Sequence, residues 1–344
     1  MAPPLVTRWD LDKTYLRTEF DTLGDLVKTA LERPDQKRAV PGAAALLRAL
    51  GETAARVHIL SGSPRQLKSK IEEKLRIDRV RWDELTLKPN LSNILRLRFR
   101  ALRDQLGYKL PVLLAARRRD QDLGGSERPR EILVGDDAEA DAFVYSLYAD
   151  VCEGNVDARA LAAILRAGNV YAETHELCLE MQRGIAVGKA VERILIHLDR
   201  QSPPSTFDAY GARVIPFYNY LQAAFVLVED ERLGGPALLE VARVLVQRHR
   251  FDGEALGRSY LDLIRRGHAR GTVLPALKDS LDRAQSSMDR AVVTPLVEMT
   301  TLIEGYLESL HPARPVSAPA PDYIELARKH QGGKNRKKYR RLMA

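Results

Sequence analysis

Cysteine is nearly absent from this sequence of 344 residues, which contains only Cys152 and Cys178. Two thiols cannot form the disulfide framework that stabilises small secreted domains, so we expect a reducing compartment. No uninterrupted apolar run reaches the roughly 18 residues of a membrane-spanning helix. The first residues also lack the basic region and the long apolar core of a signal peptide. These absences predict a cytoplasmic protein without a transmembrane segment.

Aromatic residues are sparse at 6%, whereas hydrophobic residues make up 45% and charged residues 29% of the chain. The last two values are typical of a globular protein. The length allows two domains of roughly 150 residues each. A change of pattern predicts an α/β domain over 1–153, an all-α domain over 154–311, and a Pro/Ala-rich linker with a basic tail over 312–344.

Acidic residues are missing from residues 326–344. The basic residues of this segment are Arg328, Lys329, Lys334, Arg336, Lys337, Lys338, Arg340 and Arg341. They account for the whole formal net charge of +8, so the rest of the chain is neutral by the same count. Such a tail is most often a solvated segment, but it can also bind an anionic membrane surface or RNA. Both outcomes stay open from the sequence.

The sequence from Leu5 to Thr14 combines a strand pattern with clustered acids. A short run rich in strand formers ends at Asp10 and Asp12, which lie on the same side if the extended geometry continues. Ligands of an open α/β sheet bind at the carboxyl ends of its strands. Two carboxylates this close repel each other unless a cation or a shared proton compensates, and Mg²⁺ prefers oxygen ligands. The alternative is a strand followed by an ordinary Asp-rich turn.

A second predicted strand, over residues 56–60, ends at Ser61 and Gly62 and is followed by a helical pattern. A strand, a small polar turn and a helix together offer backbone N–H groups and a hydroxyl to an anion. The alternative is a serine that caps the helix. Farther along, Lys109 precedes a helix predicted over 111–119, and its side chain is able to point back at the sheet. The alternative for Lys109 is an ordinary solvated lysine.

A third apolar run, over residues 131–135, ends at Asp136 and Asp137, and Asp141 follows at the start of a predicted helix. The helix dipole favours acidic residues in a first turn, which explains Asp136 and Asp137 without any ligand. It does not explain why two separate strands both end in acids. Whether Asp137 contributes to a metal site stays open.

The order of these residues resembles the four-motif signature of the haloacid dehalogenase superfamily of phosphohydrolases. The motifs are Asp10-x-Asp12-x-Thr14, Ser61, Lys109, and Gly135-Asp136 with Asp141. Within that superfamily, residues 61–67 and 134–145 are similar to the catalytic domain of the actin-patch-type phosphatidate phosphatases. The resemblance covers roughly residues 5–150. It implies a HAD-like, Rossmann-type parallel sheet that carries the site.

The resemblance also implies a role for each residue of the signature. Asp10 would be the nucleophile that forms an aspartyl-phosphate, and Asp12 would be the general acid and base. The phosphoryl oxygens would be held by Thr14, Ser61, Gly62 and Lys109. Mg²⁺ would be bound by Asp10, Asp12, Asp136 and Asp141, with Asp12 offering its backbone carbonyl and Asp141 acting either as a direct ligand or as a residue that holds the other ligands. The general chemistry agrees, because aspartate is a competent nucleophile and the transferring group needs positive charge around its oxygens.

Beyond residue 154 the sequence shows helical spacing of Leu, Val, Ile and Ala, with breaks that contain Gly, Pro or Asn. The predicted helices span residues 158–166, 170–182, 188–198, 215–230, 236–249, 255–266, 273–284 and 294–310. This pattern predicts an all-α domain. The further strand that relatives have after the last acidic motif is therefore not expected.

Two functions from different classes follow. The first is an Mg²⁺-dependent phosphatase that acts on a phosphomonoester, including a lipid such as phosphatidate. The second is a catalytically inactive relative whose helices and basic tail bind a protein partner, an anionic membrane or RNA. The intact acidic set favours the first function. The helical half, which has no visible chemistry, keeps the second open.

Overall fold

The fold is given by a computed structural model, which describes residues 3–17, 37–88, 102–123, 125, 127–307, 309 and 320–330. The sequence also predicts helices over 23–31 and 94–106, and the first of these and most of the second lie outside the described residues. The same holds for most of the predicted linker and for the basic tail from residue 331 onward.

Six parallel strands form one sheet in the described part of the chain. They are β1 (Leu5–Asp10), β2 (Arg56–Pro64), β3 (Glu84–Lys88), β4 (Arg130–Asp136), β5 (Val191–His197) and β6 (Val214–Phe217). Their order is β3-β2-β1-β4-β5-β6, so the order reverses between β1 and β4. All residues of β1 are buried, as expected for a central strand that is covered on both faces. The predicted α/β class with a parallel sheet is confirmed.

Helices cover both faces of this sheet. In chain order they are α1 (Ala43–Thr53), α2 (Lys68–Ile77), α3 (Leu102–Asp120), α4 (Asp141–Glu153), α5 (Ala158–Ala167), α6 (Ala172–Arg183), α7 (Tyr220–Glu229), α8 (Gly235–His249), α9 (Gly253–Arg265), α10 (Leu274–Ala284) and α11 (Arg290–Leu307). Residues 323–330 are also helical. Among the described helices, none is both long enough and apolar enough to cross a lipid bilayer.

Two hydrophobic clusters form the core, one on each face of the sheet. Successive strand residues point to opposite faces, so Val134 belongs to the first cluster and Leu133 to the second. Helices α1, α2 and α7 to α11 complete the first cluster. Helices α3 to α6 and residues 323–330 complete the second cluster. The sheet therefore lies between two helical layers.

The prediction of an all-α region over 154–311 is wrong, because β5 and β6 lie within it and join the sheet beside β4. Strand β5 replaces the helix predicted over 188–198. Its residues 194–196 are all apolar and buried, a short pattern that a buried parallel strand and a buried helix share. Strand β6 and helix α7 replace the single helix predicted over 215–230. The sheet therefore continues past the boundary predicted at residue 153.

Helix α3, which is described from Leu102 onward, continues through Pro111, so Lys109 lies inside the helix and not before its first turn. A proline inside a helix removes one backbone hydrogen bond and usually bends or ends the helix. Here Leu110 and Leu113, which flank the proline, are fully buried in the second cluster. Packing on both sides of Pro111 therefore outweighs the local signal that predicted a helix start.

Candidate active site and metal centre

The carboxyl edge of the sheet brings together three of the predicted acidic residues. Asp10 is the last residue of β1, Asp136 is the last residue of β4, and Asp141 is the first residue of α4. One carboxylate oxygen of each lies within 4.8 Å of the other two. All three residues are at most 1% exposed. Because the strand order reverses between β1 and β4, this three-acid cluster lies where open α/β sheets bind their ligands.

Lys109 reaches the three-acid cluster from α3. Its ammonium nitrogen lies 2.8 Å from Oδ1 of Asp10 and 2.5 Å from Oδ1 of Asp141. It also lies 2.9 Å from Oε2 of Glu139. Lys109 is 0% exposed, so these contacts are made away from water. One buried cation thus compensates part of the negative charge at the sheet edge.

The protein fixes individual oxygens of these carboxylates. Oδ1 of Asp136 accepts hydrogen bonds from the backbone N–H of Ala138 at 2.6 Å and of Glu139 at 3.1 Å. Oδ2 of Asp141 accepts one from the backbone N–H of Asp136 at 3.2 Å. By contrast, Oδ2 of Asp10 is buried and has no hydrogen-bond partner among the described residues. A buried carboxylate oxygen without a donor is destabilising unless a ligand supplies the missing positive charge.

Gly135 allows Asp141 to approach the end of β4. A Cβ atom built on Gly135 lies 2.7 Å from the Cβ of Asp141 and overlaps one of its carboxylate oxygens. Side chains do not pack this closely, so any larger residue at position 135 would displace Asp141 from the cluster. Glycine is therefore required at position 135, because the side chain of Asp141 lies too close to its backbone for a larger residue.

Burial and like charge shift the pKa values of the cluster. Removal from water raises the pKa of Asp10 well above its ordinary value of 3.8; Lys109 opposes this rise and the neighbouring acids add to it. Burial, then Asp141 and Glu139, raise the pKa of Asp136 in the same way. Burial alone would lower the pKa of Lys109, but the surrounding carboxylates raise it well above 10.5. A divalent cation at the cluster would relieve this repulsion and favour the ionised acids.

Asp12 lies in the loop that follows β1. Its Oδ2 accepts hydrogen bonds from the hydroxyl of Ser61 at 2.7 Å and from the hydroxyl of Ser63 at 3.1 Å. Burial raises the pKa of Asp12, and the hydrogen bond from Ser61 opposes that rise. A carboxyl group with a raised pKa can hold a proton closer to neutral pH, which is what a general acid requires.

The structure places Thr14, Ser61 and Gly62, which are predicted to bind phosphate, beside the acids. The hydroxyl of Thr14 donates to Oδ2 of Asp136 at 3.3 Å. The hydroxyl of Ser61 donates to Asp12 and accepts from the backbone N–H of Ser63 at 2.9 Å. A Cβ atom built on Gly62 meets nothing within 4 Å among the described residues, so this backbone borders open space. Both hydroxyls must change partners before they can hold a phosphoryl oxygen.

Three residues that the sequence did not single out also belong to the site. Glu139 contacts Lys109, and Ser63 shares the carboxylate of Asp12 with Ser61. The two-residue spacing of Ser61 and Ser63 along a strand is a signal that could have found Ser63. The hydroxyl of Tyr108 donates to the backbone carbonyl of Ser61 at 2.8 Å. That contact depends on how α3 packs, for which the sequence has no local signal.

Asp137, whose role the sequence left open, makes contacts that fix a loop. One of its carboxylate oxygens accepts from the backbone N–H of Arg200 at 2.8 Å, and the other accepts from that of Ser202 at 3.0 Å. Its own backbone N–H donates to the carbonyl of His197 at 3.0 Å. Asp137 thus holds the loop after β5, and it is not one of the three acids whose oxygens converge.

The donor set of the three-acid cluster fits Mg²⁺. All of its candidate ligand atoms are carboxylate oxygens, which Mg²⁺ prefers over sulfur or imidazole nitrogen. The convergence of three buried carboxylates around a single ammonium is the observation that favours a bound cation. The side chain of Asp12 is not part of the cluster and accepts hydrogen bonds from two serines instead. Its predicted contribution to the metal remains the backbone carbonyl.

No protein-family model matches the chain, and no curated protein and no solved structure matches it either. The resemblance to haloacid dehalogenase phosphatases therefore stays a prediction, and the function must be argued from the geometry of the site.

Proposed function

We propose that this protein is an Mg²⁺-dependent phosphatase of the HAD-like type, which hydrolyses a phosphomonoester through an aspartyl-phosphate on Asp10. The observation that carries the proposal is the buried Oδ2 of Asp10, which has no hydrogen-bond partner among the described residues. Lys109 holds the other oxygen of this carboxylate and thereby orients it. Asp12, with its raised pKa, follows two residues later and supplies a proton donor.

In the first step, Oδ2 of Asp10 attacks the phosphorus atom, and the bond between phosphorus and the leaving oxygen breaks. Asp12 donates its proton to the leaving oxygen. Lys109 and the hydroxyl of Ser61 stabilise the negative phosphoryl oxygens. Asp10, Asp136 and Asp141 would hold Mg²⁺, which supplies further positive charge to the phosphoryl group when it is bound.

In the second step, the ionised Asp12 removes a proton from a water molecule whose oxygen attacks the phosphorus atom. The bond between phosphorus and Oδ2 of Asp10 breaks, inorganic phosphate leaves, and Asp12 is protonated again. The substrate class in this proposal is a phosphomonoester, including a lipid phosphate of the phosphatidate type.

The test is phosphate release by the full chain, with Mg²⁺ and with a chelator, from phosphatidate, phosphoprotein, nucleotide and sugar phosphate. Asp10→Asn should reduce release by at least about a thousandfold, because the amide cannot attack phosphorus. After acid quenching, mass spectrometry should find the phosphoryl group on the wild-type peptide that contains Asp10. The matched control is Asp150→Asn, which also removes a buried carboxylate but lies at the other end of α4. Undiminished release by Asp10→Asn would contradict the proposal.

A binding protein without catalysis is the second candidate, and the mutual engagement of the site residues favours it. Lys109 contacts three carboxylates, and the three-acid cluster is at most 1% exposed, so a substrate must displace existing contacts. In this function the helices and the basic tail bind a protein partner, an anionic membrane or RNA. The absence of phosphate release from the whole substrate panel, with equal partner binding by wild type and Asp10→Asn, would support it.

A further inference from the structure

Two side chains from the second half of the chain hold the loop over residues 11–16, hereafter the aspartate loop. The hydroxyl of Tyr220 donates a hydrogen bond to the backbone carbonyl of Thr14 at 2.6 Å. Nδ1 of His197 lies 3.2 Å from the backbone carbonyl of Lys13. Because a carbonyl only accepts, we assign the proton to this ring nitrogen. The aspartate loop is therefore bound from β5 and α7, which the sequence analysis placed in a separate domain.

The two contacts are made to a backbone segment with an unfavourable conformation. Lys13 has a φ of 63°, in the left-handed region that residues with a side chain rarely adopt. Such a conformation persists only where the surrounding structure fixes it. Within the loop, the backbone N–H of Lys13 donates to Leu16 and that of Tyr15 donates to Leu11. The contacts from His197 and Tyr220 add support from outside the loop.

The supporting side chains are themselves fixed. Tyr220 is 0% exposed, and its ring stacks on Trp9, with centroids 5.9 Å apart and an interplanar angle of 11°. The ring of His197 also stacks on Tyr220, with centroids 5.5 Å apart. His197 is the last residue of β5 and pairs with Asp136 in the sheet. Tyr220 and His197 thus connect the aspartate loop to three strands and to helix α7.

We propose that Tyr220 and His197 are positioning residues, which hold Asp12 at the leaving oxygen of the substrate. The inference rests on the proposed function, in which Asp12 is the general acid. Asp12 directly precedes the two carbonyls that are held, whereas Asp10 is fixed by the pairing of β1 with β2. Loss of a positioning contact therefore impairs proton donation more than nucleophilic attack.

Substrates with different leaving groups separate these two effects. p-Nitrophenyl phosphate has a good leaving group that needs little protonation, whereas glycerol phosphate has a poor one that depends on the general acid. Tyr220→Phe keeps the ring and removes the hydroxyl. It should lower kcat/KM, which reports the steps up to departure of the leaving group, about tenfold more for glycerol phosphate than for p-nitrophenyl phosphate. His197→Phe, which keeps a ring and removes the donor, should act in the same direction.

The matched control is Tyr148→Phe. The hydroxyl of Tyr148 also donates to a buried acceptor, at 2.7 Å from Oε2 of Glu131, and Tyr148 is likewise 0% exposed. Glu131 lies near the amino end of β4, whereas Asp136 ends that strand at the site. This variant should leave the ratio of the two kcat/KM values as in the wild type. A ratio of kcat/KM values that stays unchanged in Tyr220→Phe would overturn the positioning role.

Amide hydrogen exchange gives a measurement that does not depend on turnover. Exchange at the amides of Lys13 and Tyr15 should become faster in Tyr220→Phe and should stay unchanged in Tyr148→Phe. Unchanged exchange in Tyr220→Phe would overturn the inference that this residue holds the loop. If exchange rises but the wild type releases phosphate from neither substrate, the loop is held as inferred, and the proposed function with its general acid is what fails.

Discussion

The ammonium of Lys109 lies between Asp10 and Asp141, 2.8 Å from one carboxylate and 2.5 Å from the other. These two acids, together with Asp136, form the cluster whose oxygens converge at the sheet edge. Lys109 therefore occupies the neighbourhood in which a bound cation would be held. Lys109 is a countercharge to these acids, and it would compete with a bound cation for the same carboxylates.

Lys109→Gln should destabilise the metal-free protein by about 3 kcal/mol, because it leaves buried carboxylates without their cation. The same variant should bind Mg²⁺ more tightly than the wild type, since the competing ammonium is gone. Urea denaturation without Mg²⁺ and calorimetric titration with Mg²⁺ measure the two effects. Asp10→Asn is the matched comparison, because it removes one of the acids instead of the cation. Burial and neighbouring acids disfavour the ionised form of Asp10, so this variant should not lower the free energy of unfolding.

Gly135→Ala should lower the free energy of unfolding by about 1 to 3 kcal/mol, because the new methyl group meets the side chain of Asp141. It should also reduce Mg²⁺ affinity, since Asp141 is displaced from the cluster. Gly107→Ala is the matched control: a Cβ there meets nothing within 4 Å among the described residues, and position 107 lies inside α3. Alanine should stabilise that helix by up to about 1 kcal/mol. Equal effects of the two substitutions would contradict the close-approach role of Gly135.

The acids of the site could be predicted because each carries a local signal. Asp10 and Asp136 come at the ends of short apolar runs, a pattern that predicts buried strands. The carboxyl ends of parallel strands meet at one edge, so these residues had to lie close together if both strands belong to the sheet. Lys109 was found by its place in the motif order, although its position inside α3 was not.

The remainder of the site depends on contacts between distant parts of the chain. Tyr220 meets Thr14 only because β6 joins the sheet and places α7 against β1, and no local pattern encodes that pairing. The strand at residues 191–197 was predicted as a helix because a short, continuous apolar run fits either structure. The neighbours of β5 decide between the two, and they are known only once the sheet is assembled.

The contribution of His58 to the stability of the protein should fall as pH falls below about 6.5, the ordinary pKa of histidine. Nδ1 of His58 lies 3.2 Å from Arg8, and Nε2 lies 2.9 Å from the hydroxyl of Thr86. Burial, and then the positive charges of Arg8 and Arg119, lower the pKa of His58 well below 6.5. The unfolded chain therefore binds a proton that the folded chain does not. The contribution of His58 is therefore greatest above its unfolded pKa and is lost as pH falls toward its folded pKa.

His58→Asn, which keeps an acceptor for Arg8, should reduce this pH dependence by up to about 1.4 kcal/mol per pH unit. The measurement is urea denaturation at a series of pH values below 6.5. His268→Asn is a useful comparison, because burial lowers the pKa of His268 to about 4, so its contribution ends near that pH. A pH dependence that stays the same in His58→Asn would show that the histidine is not held neutral by its surroundings.

Residues 323–330 form a helix, as the pattern of residues 323–329 predicts, but this helix packs on α4 and is not part of a linker and tail over 312–344. Tyr323 is 4% exposed and donates its hydroxyl to Oδ2 of Asp150 at 2.5 Å. The ring of His330 packs edge-on against Phe143, with centroids 5.9 Å apart. Tyr323 and Ala327 belong to the second hydrophobic cluster, and the ring of Tyr323 packs edge-on against Phe143 of α4. A truncation that removes them would therefore test core stability and not the tail.

Truncation after His330 should remove low-salt binding to anionic vesicles or RNA without changing the rate on a soluble phosphomonoester. The basic residues that it removes are Lys334, Arg336, Lys337, Lys338, Arg340 and Arg341, and no acidic residue accompanies them. Each basic residue near an anionic leaflet contributes about 1 kcal/mol, so vesicle affinity should fall at least about a hundredfold.

Co-sedimentation with phosphatidylserine vesicles and filter binding of RNA, each at a series of salt concentrations, measure the effect of this truncation. The control is a full-length variant in which these six basic residues are replaced by glutamine. It should bind as weakly as the truncated protein if charge is the cause. Since binding through phosphates releases counterions, the affinity of the wild type should also fall steeply as salt rises. If both shortened and full-length proteins bind the vesicles and the RNA equally, the basic residues act only as a solvated end, and the anionic surface must be recognised elsewhere.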